Sequence, residues 1–281
     1  MLRRSNVALL ASIVLTFAGL TGAFATPSTL IWAPSTDVKP FGIFHLDADN
    51  YTPVKSRDHN DNKLFVLQDY GLTVGLLPDK PESYGLASDS QSHNPEKNPL
   101  GKLWSPLGKV LAETGFDYKK GFGSTLDKWP VYFHFKLGVP EGAYFKNMPA
   151  FAIGCYDMGY KHNYTNYNVW YLRGAKTINI GKLNLGRFSA GYFNGNAKLL
   201  RDKNSERDNA GVMLAWERVI SEISDRLWLC VDYQGTQSSY GALNYGFSWK
   251  FTNNVSAIIG YDVYNNPNSK NTVTFQLDVD F

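Results

Sequence analysis

The segment Asn271-Thr-Val-Thr-Phe-Gln-Leu-Asp-Val-Asp-Phe281 alternates without a break. Val273, Phe275, Leu277, Val279 and Phe281 share one face, and Thr274, Gln276, Asp278 and Asp280 share the other. Strand side chains repeat every two residues, so a strand with one apolar and one polar face lies between oil and water. The pattern recurs upstream. Val255 to Tyr264 offers Val255, Ala257, Ile259, Tyr261 and Val263, and Tyr240 to Phe251 offers Leu243, Tyr245, Phe247, Trp249 and Phe251. Asp225 to Gln234 and Asp208 to Val219 follow. Further upstream come Leu185 to Asn194, Tyr167 to Ile178, Pro149 to Gly159 and Trp129 to Val139. Leu107 to Tyr118, Leu64 to Leu76 and Phe41 to Asn50 bring the expected count to about twelve, each near the ~9–11 residues of a tilted spanning strand.

The first residues read differently. Arg3 and Arg4 precede an apolar run from Val7 to Leu20, and Ala23-Phe24-Ala25 supplies a small-x-small site before Thr26. This is the pattern of a cleaved export signal over 1–25, and the run is short of the ~20 residues of a spanning helix. The remaining 26–281 contains no long apolar stretch. A membrane-spanning chain of this kind has one solution, a closed barrel, because lipid offers no partner to an unpaired backbone group. The two arginines carry part of the +3 formal charge away with the signal, so no basic surface for nucleic acid is implied. Cys155 and Cys230 fall in separate, non-adjacent strands, both pointing away from lipid by alternation, which argues against a disulfide. No CxxC or Cys/His cluster suggests a metal or a cofactor.

A closing strand that ends on an aromatic residue, with Tyr192, Trp216, Tyr233, Trp249 and Tyr261 near strand ends, resembles the bacterial outer-membrane β-barrel (porin-like) proteins. The resemblance implies an all-β chain folded as a single closed antiparallel transmembrane barrel in meander order. It implies an outer-membrane location, contact with outer-membrane lipid and lipopolysaccharide, and delivery to the barrel-assembly machinery through the C-terminal strand ending in Phe281. A secreted β-sandwich is the competing fold, with the apolar face packed inward as matched Val, Ile and Leu. An irregular periplasmic insertion, rich in Pro and Ser, is expected at about 78–106; read instead as a fold-in it would narrow the lumen, and read as a hairpin it would raise the count to fourteen.

If the apolar face meets lipid, the other face defines a lumen. The dipeptides Asp117-Tyr118, Tyr156-Asp157, Asp232-Tyr233 and Tyr261-Asp262 place each Tyr outward and each Asp inward near the outer mouth. Lys136, Arg187, Arg226, Lys250, Glu217 and Asp278 are expected near the periplasmic rim, together with Lys109 and Asp280. Asp47, Asp69, Glu113, His45, His134 and Arg173 are expected deeper inside. A ring of carboxylates favours cation entry. The function implied is an outer-membrane channel for passive or weakly selective diffusion of small hydrophilic solutes, with some cation preference. A non-conducting structural or adhesive barrel is the alternative, with Lys198, Arg201, Lys203 and Arg207 as a basic loop toward lipopolysaccharide phosphates. A lipid hydrolase is a third possibility, but Ser56 near His59 and Asn163 beside His162 are neighbours along polar loops rather than a triad, no GxSxG elbow is present, and no enzyme activity is expected.

Overall fold

The structure, a computed structural model, describes residues 28–54, 66–77, 109–121 and 125–281. The export signal and the insertion at 78–106 lie outside the described residues. Twelve strands form one closed antiparallel barrel: β1 (Phe44–Pro53), β2 (Leu67–Gly75), β3 (Leu111–Lys120), β4 (Val131–Val139), β5 (Ala150–Gly159), β6 (Asn166–Ile180), β7 (Leu183–Asn194), β8 (Ala210–Val219), β9 (Leu227–Gln234), β10 (Ala242–Lys250), β11 (Val255–Tyr264) and β12 (Thr272–Asp280). Each strand pairs with its sequence neighbours, and β12 pairs with β1 to shut the sheet. The rim where β1 begins and β12 ends is called the terminal rim below, and the opposite one the distal rim.

The alternation of the closing strand sets the radial geometry. Val273, Phe275 and Leu277 are exposed on the outside, while Thr274, Gln276, Asp278 and Asp280 are buried inside. The same division runs around the wall, with Leu46, Phe116, Phe133, Ile153, Leu172, Phe188, Leu214, Phe247 and Ile259 all outside. A water-soluble chain does not leave such a continuous apolar belt bare. A bilayer matches it, and the closed sheet leaves no unpaired edge for lipid to meet. The sandwich alternative fails on this point, because the apolar face points outward. Exposed Tyr70, Tyr118, Tyr192 and Tyr245 lie toward the distal rim, and Phe44, Trp249 and Phe251 toward the terminal rim, as amphipathic rings do at interfaces.

Alternation misplaces two neighbours on β5. A register shift lies between Tyr156 and Met158, and Asp157 sits there at φ 53°, in the left-handed region. This extra residue makes a β-bulge, which lets two successive side chains point the same way. Tyr156 therefore turns inward with Asp157 rather than outward to lipid. Cys155 goes the other way: its cross-strand partners are Phe135 and Trp170, both on the outer face, and it is buried among them. The two thiols are free, and Cys230 alone faces the interior, against Ile31 and Ile258.

Candidate functional site

The lumen is occupied. Residues 28–40, just ahead of β1, fold back inside the barrel as a short hairpin, closed by a bridge between Thr29 and Pro34 and by Leu30 N–H on Ala33 O at 2.8 Å. Leu30, Ile31 and Ala33 are at most 1% exposed. A peptide segment placed in a protein interior must find partners for its backbone groups, and the inward side chains of the wall supply them. At the tip, Ile31 N–H and Trp32 N–H both donate to Asp232 Oδ2, at 2.8 and 3.0 Å. Gln276 Nε2 donates to Ile31 O at 2.7 Å, and the Trp32 indole N–H donates to Tyr240 O at 3.2 Å. The Trp32 ring meets Tyr51 and Tyr264 edge-on, with centroids 5.3 and 5.7 Å away.

The base of the hairpin is held by charge. Lys136 Nζ donates to Ser28 O and Asp37 O, at 2.6 and 2.7 Å, and pairs with Glu113 at 2.9 Å. Glu113 in turn accepts from Ser28 Oγ and from Lys39 N–H, both at 2.7 Å. Arg187 grips the Asp37 carboxylate at 2.8 Å and lies 3.6 Å from Glu217. Arg173 is fully buried and donates to Pro34 O at 2.8 Å and to Ser189 Oγ. Lys39 pairs with Asp280 at 3.0 Å, and His45 Nδ1 contacts the same carboxylate at 2.7 Å.

The side chains read from the sequence as one lumen set are thus divided. Asp232, Glu113, Lys136, Arg173, Arg187 and Gln276 bond the hairpin directly. Asp262 is fully buried beside them and accepts from Thr272 Oγ1 at 2.6 Å. Glu217 receives the Trp228 indole N–H at 3.0 Å. Asp47, Asp69, Asp117, Asp157, His134 and Asp278 instead border an open space. Arg226 is exposed in the turn before β9, Lys250 is half-buried at the end of β10, and Lys109 bonds Ala143 O in the β4–β5 loop.

The open space is a cavity of about 160 Å³ between the hairpin and the wall of β1–β5. Its acidic lining comprises Asp47, Asp49, Asp69, Glu113, Asp117, Asp157 and Asp278. Lys119 bridges Asp157 at 2.6 Å and Asp69 at 3.2 Å. Asp47 and Asp49 have no basic partner within ion-pair distance among the described residues. The packing of this wall depends on glycine: a side chain at Gly71 would strike the Asp47 carboxylate, and one at Gly115 would strike the His134 ring. These two bare positions let neighbouring side chains lie flat across the strands.

Beyond the hairpin, the distal side of the β5–β9 half is packed shut. Tyr240, from the β9–β10 loop, reaches across to hydrogen-bond Asp157 on β5. Its ring lies 6.0 Å from Tyr156 and 5.5 Å from Tyr167. Leu200, from the β7–β8 loop, is fully buried with Val169, Phe193 and Met213.

No protein-family model matches the chain, and no curated protein matches its sequence. Solved bacterial outer-membrane barrels resemble it in fold. An outer membrane channel from Pseudomonas putida F1 aligns over 88% of this chain and 98% of its own, at 12% identity and a TM-score of 0.40. Omp33 of Acinetobacter baumannii aligns over 85% and 97%, at 10% identity and 0.39. Outer membrane phospholipase A of Escherichia coli aligns over 86% and 93%, at 10% identity and 0.38.

One group in the cavity has the connectivity of a nucleophile, base and acid. Thr73 Oγ1 lies 2.9 Å from His134 Nε2, and His134 Nδ1 lies 3.1 Å from Asp117 Oδ2. Acyl transfer at Thr73 would build an oxyanion in a cavity lined by seven carboxylates. Electrostatic stabilisation requires donors at that place, and carboxylates oppose it. The chain of bonds therefore reads as a polar strut between β2, β3 and β4. Among the described residues no group of His, Cys, Asp and Glu is arranged to hold a metal ion.

Proposed function

We propose that this protein is an outer-membrane channel of narrow bore, passing small hydrophilic solutes with a preference for cations. The observation that carries the reading is the aspartate-lined space left between the N-terminal hairpin and the β1–β5 wall. Seven carboxylates line it, and the low-dielectric surroundings focus their field into the passage. The apolar belt around the closed wall supports a bilayer location. With an even number of strands, the terminal rim faces the periplasm and the distal rim faces outward. The C-terminal strand ending in Phe281 is then the segment offered to the barrel-assembly machinery.

Single-channel recording of the refolded chain in a planar bilayer under a salt gradient tests the reading. Small, steady openings with a cation-selective reversal potential are expected. Changing Asp47, Asp69 and Asp117 together to Asn should move that potential toward zero. Anion selectivity, or a reversal potential unmoved by the triple change, would sink the proposal.

A second reading is favoured by the hairpin and by the Tyr240–Asp157 contact above it: a sealed barrel that braces the envelope or displays its loops. A folded, inserted and silent protein would select it. Hydrolysis of lipid esters has the least support, because the Thr73–His134–Asp117 relay lies inside the lumen among other carboxylates rather than facing lipid.

A further inference from the structure

Two lysines from different loops converge on one indole at the distal rim. Lys128 Nζ lies 4.8 Å from the centroid of the Trp129 ring, and Lys161 Nζ lies 5.6 Å from it. The Tyr164 ring packs on the same indole at 5.3 Å. Ammonium groups are drawn to an aromatic face by its quadrupole, but that attraction leaves their charge unneutralised. Neither lysine has a carboxylate within ion-pair distance among the described residues.

The arrangement is held from below. A single 3₁₀ turn, Thr125–Lys128, leads into Trp129, whose N–H bonds Leu126 O at 3.2 Å. Asp127 accepts Gly121 N–H at 3.0 Å, and Lys119 N–H bonds Pro130 O at 2.8 Å, tying this turn to the end of β3. On the other side Lys161 O accepts from Tyr164 N–H and Thr165 N–H, at 3.1 and 2.9 Å. Thr165 Oγ1 accepts Lys161 N–H at 3.0 Å, so both ends of the lysine's backbone are fixed.

Position decides what such a pair of charges meets. Trp129 is two residues ahead of Val131, on the outward register of β4, and Val131 pairs with exposed Tyr118 of the apolar belt on β3. Tyr160 and Tyr164 are exposed above, at 63% and 58%. Apolar belt, aromatic ring and bare cation follow one another outward, which is the order of acyl chain, glycosyl ring and phosphate in a lipid headgroup zone.

We infer that Lys128, Lys161 and Trp129 bind a phosphorylated glycolipid of the outer leaflet, the phosphate between the two ammonium groups and the sugar against the exposed tyrosines. The inference rests on the outer-membrane orientation proposed above. It differs from a basic loop acting through Arg201, because that guanidinium is spent on Lys198 O and Ser205 O of its own loop.

Native mass spectrometry of the folded protein in detergent tests it with diphosphoryl lipid A, dephosphorylated lipid A and phosphatidylglycerol as probes. Diphosphoryl lipid A is expected to remain bound, and the other two are not. The double variant Lys128→Gln/Lys161→Gln removes both charges and keeps a polar side chain at each position, and heat-modifiable migration on a gel reports that it is folded. Its occupancy should fall at least about tenfold, while Lys128→Arg/Lys161→Arg retains the lipid. Equal occupancy in wild type and the glutamine variant overturns the inference. So does equal retention of phosphatidylglycerol, or displacement of the lipid by millimolar inorganic phosphate. Insertion and conductance are scored on the same variants in bilayers, so loss of the lipid site and failure of the channel reading remain separable.

Discussion

Asp232 and Asp117 come from the same kind of dipeptide, an Asp beside a Tyr near the end of an outward-running strand, and they serve different walls. Asp232 is 1% exposed and accepts three hydrogen bonds, two from the hairpin tip and one from Asn244 Nδ2 at 2.7 Å. Asp117 meets only an imidazole and otherwise faces open cavity. The walls differ accordingly. Across β6–β12 the inward side chains hold a second piece of chain; on β1–β4 Glu113 and Lys136 hold the hairpin base, and the remaining carboxylates around Asp117 hold one another around space. What lies opposite a lumen carboxylate, rather than the strand that carries it, decides whether it fastens the interior or charges a passage.

The most severe way to break this contrast is to unseat the hairpin. Replacing Ile31, Trp32 and Ala33 by Gly-Ser-Gly removes the indole that fits between Tyr51 and Tyr264 and the apolar contacts to Ile258 and Cys230. Single-channel conductance should rise several-fold, with flickering between levels as the weakened hairpin leaves and returns. An unchanged conductance would mean that the hairpin does not limit flow.

The contrast can be sharpened within one wall. Asp232→Asn removes a charged acceptor from two backbone donors and should cost about 3 kcal/mol in urea unfolding from micelles. Asp262→Asn is expected to be close to neutral or stabilising. Asp262 Oδ1 and Asn244 Oδ1 are buried acceptors without hydrogen-bond partners on directly paired residues, and an amide N–H at 262 supplies the missing donor. Equal losses in the two variants would contradict the assignment of Asp232 to the hairpin.

The smallest effect lies outside the lumen. Partial burial pushes the Glu141 carboxyl up, but hydrogen bonds from Lys176 Nζ at 2.7 Å and from Thr177 N–H and Oγ1 outweigh it and hold the carboxyl below the usual glutamate value. A depressed folded value makes this anchor of the β4–β5 loop fully present above the ordinary glutamate range and lost as pH falls through the depressed one. Proteolysis of the loop should therefore stay slow at neutral pH and accelerate only in stronger acid. Glu141→Gln should flatten that dependence.

The wall was legible because a strand's period is two and its two solvents differ. Val273 to Phe281 alone sets which side faces lipid, and the same logic placed Asp117, His134 and Glu113 inward. It failed where the period itself breaks: the bulge at Asp157 is one inserted residue with no sequence mark of its own, and it turns Tyr156 in and Cys155 out. The hairpin was missed for another reason. Leu30, Ile31, Trp32 and Ala33 form an apolar run too short for a strand and assigned to none, and only that surplus hinted that something had to bury it. The pairing of Asp232 with Ile31 spans 201 residues, and periodicity carries no information at that distance.

The hairpin's attachment has a kinetic side. Between its last buried residue, Lys39, and the start of the wall there are only Pro40, Phe41, Gly42 and Ile43, and Gly42 N–H is already fastened to Gly75 O at 3.0 Å. A segment on so short a leash never dilutes into bulk when it lets go. Its effective concentration at the mouth stays high, so rebinding outcompetes escape. A released hairpin thus gives brief excursions from a mostly occupied lumen, a duty cycle set by Lys39–Asp280 and the tip contacts, rather than a barrel that empties once and stays open.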